Sequence, residues 1–143
     1  MTDKSSDAGW QPYHLDHYAQ ELVLEFRDKK DKKDNDVLNE SHKMRMTIAY
    51  GLERFWGEHL RLKDKEPKKS DYWKKVWKKL HDILGDSGIK LPNDNVNSTD
   101  DIKAMTKAIW SLPLADQRVA LMVLTQFCDS LVWWTQRYKV KGD

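Results

Sequence analysis

Ser70-Asp-Tyr-Trp-Lys-Lys-Val-Trp-Lys-Lys-Leu-His-Asp-Ile-Leu-Gly85 decides the fold class. At about 100° per residue, Trp73, Val76, Trp77, Leu80, Ile83 and Leu84 fall on one half of a helical cylinder. Lys74, Lys75, Lys78 and Lys79 fall on the other half. Ser70 or Asp71 suits the cap of the first turn and Gly85 the stop of the last. Asp71 precedes Lys75 by four residues and Asp82 follows Lys78 by four, so both acids partly neutralise the lysine side. The segment therefore predicts an amphipathic helix with an aromatic inner face and a cationic outer face.

The same period runs outward in both directions. Pro12 suits a first helical turn, and Leu15, Tyr18, Leu22 and Phe26 give a stripe ending near Arg27. Asp28-Lys-Lys-Asp-Lys-Lys-Asp-Asn-Asp36 has nothing apolar to bury and reads as a solvated loop or frayed helix end. A second helix is expected from Asp36–Ser41 to about Lys63, with Met44, Ile48, Leu52, Phe55, His59 and Leu62 as its buried stripe. Gly51 lies beside that stripe, where it would let a neighbouring helix come close. Pro67 enforces a break before the Trp/Lys helix. Ser98 or Thr99 caps a fourth helix, with Asp100 and Asp101 in its first turn. A fifth runs from about Leu114 to Lys139. Its stretch Val119-Ala-Leu-Met-Val-Leu124 is apolar all round, the mark of a helix with neighbours on several sides. No β-type alternation persists. The sequence predicts an all-α fold: a compact bundle of about five helices with a long C-terminal central helix. Residues 1–11 are expected as a disordered tail and 12–143 as a single helical domain.

At 143 residues one domain can bury a self-sufficient core. Net charge is only +2, yet residues 61–81 hold nine basic and three acidic side chains. A local field of this kind bears on partners more than the total does. The single cysteine, Cys128, excludes an intrachain disulfide and fits a reducing, cytoplasmic location. No signal-like apolar core opens the sequence, and no apolar run approaches the roughly 20 residues of a membrane span, so no membrane association is expected.

Several motifs carry little chemistry. His14-Leu-Asp-His17 places two imidazoles one turn apart without a third ligand in register, so no metal site is expected. Cys128 sits in an apolar helix with no base beside it and reads as an inert core thiol. Asn93 to Asp101 alternates oxygen ligands but lacks the glycine and closing glutamate of a calcium loop. No phosphate loop or nucleophile–base spacing appears. Neither an enzyme nor a cofactor is implied.

Two segments carry a resemblance. Phe127-Cys-Asp-Ser-Leu-Val-Trp-Trp-Thr-Gln-Arg-Tyr138 resembles the final helix of the small helical subunits of type III CRISPR effector complexes, with Cys128 where that helix carries a second aromatic. Ser41-His-Lys-Met-Arg45 is similar to the Ser/Thr-x-Lys/Gln-Leu/Ile-Arg segment of the same family. Together they cover about a tenth of the chain. The resemblance implies a non-catalytic subunit of a ribonucleoprotein for antiviral defence. Such subunits stack in several copies, touch guide and target RNA through backbone phosphates, and contact other subunits. It places Lys43 and Arg45 on the RNA-contacting segment.

The expected partner is single-stranded RNA, with other effector subunits and further copies of the chain. The expected phosphate contacts are Lys43, Arg45, Lys68, Lys69, Lys74, Lys75, Lys78 and Lys79, without base reading. The alternative is a helical adaptor that binds only protein, anchored by whichever of Trp10, Trp56, Trp110 and Trp133 are exposed.

Overall fold

The computed structural model describes residues 12–139, so the expected tail at 1–11, with Trp10, lies outside the described residues. Six α-helices follow one another: α1 Pro12–Phe26, α2 Glu40–Thr47, α3 Leu52–Leu62, α4 Pro67–Asp86, α5 Thr99–Trp110 and α6 Leu114–Tyr138. Among the described residues there is no β-strand, and a single bridge pairs Lys30 with Asp36. The all-α class and the long C-terminal helix stand as expected.

The second helix differs from expectation. It divides into α2 and α3, with a 3-10 turn at Ile48–Tyr50 and a break at Gly51. Gly51 has φ 98° and ψ 171°, a region closed to residues with a side chain. Nothing lies within 4 Å of where its Cβ would stand, so backbone conformation rather than close approach of a helix requires glycine there. The apolar stripe survives the break, because Met44, Ile48, Leu52, Phe55 and Leu62 are all buried.

The ends of α4 also move. Pro67 occupies the first turn, as its fixed φ and missing N–H allow. Ser70 is no cap: its hydroxyl donates to the His59 carbonyl at 2.7 Å and ties α4 to α3. The helix runs past Gly85 to Asp86, and Gly88, at φ 83°, is where the chain turns left-handed. The expected inner face holds: Trp73, Val76, Trp77, Leu80, Ile83 and Leu84 are buried, joined by Tyr72. Phe55 packs at 4.9 Å from Trp73 and 6.3 Å from Trp77, and Phe26 lies 4.9 Å from Tyr72. Side chains of this size contribute roughly 1.5–3 kcal/mol each when fully buried.

Helix α6 packs against α1, α2, α3 and α4, which makes it central. It is not covered all round, however, because Met122 within its apolar stretch is half-exposed. Its seam with α2 is polar and satisfied. The Ser41 hydroxyl shares hydrogen bonds with Tyr72 Oη at 2.6 Å and Thr135 Oγ1 at 2.7 Å. Arg45 Nε donates to Asp129 at 2.6 Å, and Lys139 to Asn39 at 2.9 Å. The two segments that carry the family resemblance therefore lie against each other.

Residues 28–36 form a largely exposed loop, as expected, but one held in a defined turn. One Asp31 oxygen accepts the N–H groups of Lys33 and Asn35, both at 2.8 Å, and the other pairs with Lys69 at 3.2 Å. Asp34 takes the left-handed conformation that closes the turn. The Asp31 carboxylate is thus spent on holding the loop.

Candidate nucleic-acid interface

The outer face of α4 borders an open groove of about 980 Å³. Buried Phe26, Trp56 and Trp77 are part of its lining. Five lysines line it: Lys29 after α1, Lys63 after α3, and Lys74, Lys75 and Lys78 on α4. Three carboxylates share the lining, Glu25, Asp71 and Asp94, so the groove carries a modest positive excess. Among the described residues no helix is long and apolar enough to cross a membrane.

The eight cations expected from the sequence do not form one surface. Lys43 and Arg45 sit on α2, where Lys43 lies 3.4 Å from Glu40 and Arg45 is held by Asp129 of α6. Lys68, in the first turn of α4, is exposed and makes no ion pair among the described residues. Lys69 is turned inward, 3.2 Å from Asp31 and 3.7 Å from Glu40. Lys79 rests over the Tyr18 ring at 4.6 Å. Only Lys74, Lys75 and Lys78 line the groove. Lys75 pairs with Glu25 of α1 at 3.3 Å rather than with Asp71, and Lys78 pairs with Asp82 at 3.1 Å as the spacing suggests.

Burial sorts these pairs by whether a phosphate can replace the carboxylate. Lys75–Glu25 is 53% and 43% exposed, and Lys78–Asp82 is 60% and 45% exposed. Such surface pairs are worth roughly 0–1 kcal/mol and give way to a competing anion. Lys69 is 17% exposed, and its partners Asp31 and Glu40 are 4% and 2% exposed. Glu40 also accepts the Trp73 indole N–H at 2.9 Å. Desolvation alone would raise the Asp31 carboxyl, but the N–H groups of Asn35 and Lys33 and the Lys69 ammonium hold it below its ordinary value. Lys69 is pulled down by burial yet ends above its ordinary value, through Asp31 and the nearby charges of Glu40 and Glu66. Lys69 is a structural cation, and the expectation that it contacts phosphate is corrected.

Lys29 and Lys63 were not expected. Lys29 lies over the Phe26 ring at 4.7 Å, and Lys63 makes no ion pair among the described residues. The approach of Lys63 to α4 registers at His59, buried in the groove lining. Burial lowers the His59 pKa most; its Nδ1–H donation to the Trp56 carbonyl at 2.6 Å opposes this, and the charges of Lys74 and Lys63 lower it further. No sequence signal marks Lys29 and Lys63, because tertiary packing alone brings three helices to one groove.

The tryptophans divide as well. Trp73 and Trp77 are buried and fastened by their indole N–H groups, Trp77 to the Pro92 carbonyl at 2.9 Å. Neither is a stacking platform for bases. Of the candidate anchors for a protein partner, Trp56 is buried, whereas Trp110 is 66% and Trp133 51% exposed. Cys128 is fully buried, and desolvation pushes its thiol well above its ordinary value. Among the described residues no group of three or more His, Cys, Asp or Glu is placed to hold a metal ion. No protein-family model, curated protein or solved structure matches the chain, so its functional reading rests on these residues.

Proposed function

We propose that this chain is a small helical subunit that holds single-stranded RNA by its phosphate backbone along the α4 groove. The observation that carries the reading is the convergence of Lys29, Lys63, Lys74, Lys75 and Lys78 on that groove. Three of them make no ion pair among the described residues, one of these resting on a ring, and two are held only by exposed carboxylates. Exposed Lys68 extends the track along α4. The setting we propose is a ribonucleoprotein complex of the type III CRISPR kind, in the cytoplasm. It is supported by the resemblance of residues 41–45 and 127–138, which pack together in the fold.

Salt dependence tests the reading. For a single strand, the log of affinity falls against log salt with a slope of about −0.7 per phosphate neutralised. Fluorescence anisotropy with labelled RNA should show tight binding in low salt. A triple variant, Lys63→Ala, Lys74→Ala and Lys78→Ala, should flatten the slope by about 2. Wild-type protein that binds no RNA in low salt, or a variant with an unchanged slope, refutes the proposal.

A protein-only adaptor remains the second reading. It is favoured by exposed apolar side chains on α2, the following turn and the α5–α6 corner: Met46 at 73%, Tyr50 at 70% and Trp110 at 66%, with Leu114 beside it. Copurification with a protein after nuclease treatment, without RNA affinity in low salt, would support it.

A further inference from the structure

The groove lining includes two chemically different stretches. One is the lysine side of α4. The other is the segment Asn93-Asp-Asn-Val-Asn97, all of which lines the groove. This segment belongs to no helix, yet its backbone is anchored at both ends. His81 Nδ1 lies 2.5 Å from the Leu91 carbonyl, Trp77 Nε1 donates to the Pro92 carbonyl, and the Asn97 N–H donates to Asp101 Oδ2 at 2.9 Å. Leu91 is buried. Ser98 Oγ then accepts the Asp101 N–H, closing a reciprocal cap at the start of α5.

Val96 packs against the core, and the polar side chains of this anchored stretch are uncommitted. The carboxamides of Asn93, Asn95 and Asn97 and the carboxylate of Asp94 make no hydrogen bond or ion pair among the described residues. A carboxamide offers both donors and an acceptor, whereas an ionised carboxylate only accepts. Unstacked bases in a single strand present their Watson–Crick edges to such groups. Charge orients the strand. Lysines outnumber the carboxylates on the α1–α4 side, where Asp71 stands among them and Glu25 is paired with Lys75, whereas 93–97 carries Asp94 and no cation, so the backbone follows α4 and the bases turn toward 93–97. The anchored backbone lowers the ordering cost of each contact.

We infer that the 93–97 segment contacts base edges of the strand held by α4, with Asp94 favouring bases that carry an exocyclic amino group over uracil. This rests on the proposed RNA reading and deepens it from backbone holding to base preference. Cytosine and uracil make the cleanest comparison, because both stack weakly and cytosine presents an amino group where uracil presents a carbonyl.

The experiment titrates the intact protein with labelled oligo(C) and oligo(U) of equal length across a salt series, with Asp94→Asn and Asn93→Ala/Asn95→Ala alongside. Wild-type protein should bind oligo(C) about five-fold tighter, the scale of one hydrogen bond. D94N should narrow that ratio, since an amide also donates to the uracil carbonyl, and the double alanine variant should weaken both oligomers. Both variants should keep the wild-type salt slope, because no phosphate contact is lost. Equal affinity for the two oligomers, or a ratio that D94N leaves intact, overturns the inference while the backbone reading stands on its slope. Absence of binding to either oligomer in low salt overturns both.

Discussion

Replacing Lys69 with methionine separates structural cations from functional ones. Lys69 lies 3.2 Å from Asp31 and 3.7 Å from Glu40, both nearly buried. At an effective dielectric of about 20 these separations give gross attractions of about 5 and 4.5 kcal/mol, much of it repaid by desolvation. Removing one partner of a buried pair typically costs about 3–5 kcal/mol, because a buried charge is left behind. Here each carboxylate keeps another partner: Asp31 its two backbone N–H donors, Glu40 the Trp73 indole and Lys43. The expected loss therefore falls at the low end, about 3 kcal/mol in urea unfolding near neutral pH. The sign with pH follows from the depressed Asp31 pKa. Its contribution is present above the ordinary carboxylate value and is lost as pH falls through the depressed one. The gap between wild type and K69M should thus narrow on acidification. Lys78→Met, at an exposed pair, should cost less than about 1 kcal/mol. A K69M loss below about 1 kcal/mol, with no dependence on pH, would refute the assignment and return Lys69 to the candidate phosphate ligands.

Two further perturbations probe the frame. Gly51→Ala places a side chain at φ 98° in open space, so its cost is purely conformational. It should destabilise by about 1–3 kcal/mol in urea unfolding, and a neutral result would mean that the α2–α3 break can adopt another backbone. His59 titrates below its ordinary value, so its contribution is fully present above pH 6.5 and is lost as pH falls through the lowered pKa. Urea midpoints measured against pH should fall less steeply on acidification for His59→Gln than for wild type, and parallel curves would exclude His59 as the group responsible.

The inner face of α4 was legible because a 3.6-residue period is local information. Trp73, Val76, Trp77 and Leu80 announce one side of a helix whatever packs there. The Gly51 break was not legible, because the same period continues through Met44, Ile48, Leu52 and Phe55: the chain bends with its apolar side kept toward the core. Capping was misread at Ser70 because a hydroxyl three residues into a helix can find an acceptor on another helix, here the His59 carbonyl. Ser98 was read correctly because its partner, the Asp101 N–H, is local. The ion pairs obey the same division. Lys78–Asp82 lies within one helix and follows from spacing. Lys75–Glu25 and Lys69–Asp31 join elements far apart in sequence, and no spacing rule reaches them. The groove inherits that limit: Lys74, Lys75 and Lys78 could be named from α4 alone, whereas Lys29 and Lys63 arrive only when α1 and α3 pack beside it.

Counting lysines overstates a polyanion site, because what matters is the state each cation leaves. Lys63 and Lys74 give up water and counterions when a phosphate arrives, so they keep the full gain of counterion release. Lys78 must part from Asp82, an exposed pair on its own helix, and the freed carboxylate returns to solvent outside the groove lining. Lys75 must part from Glu25, which itself lines the groove and would then face the incoming strand. The same surface pairing energy is thus followed by two different penalties. Contributions in the salt titration should rank Lys63 and Lys74 first, Lys78 next and Lys75 last, although all four stand at one groove. Placing Lys75 first would mean that Glu25 releases it without opposing the strand, and the electrostatic orientation argued for the groove would fail with it.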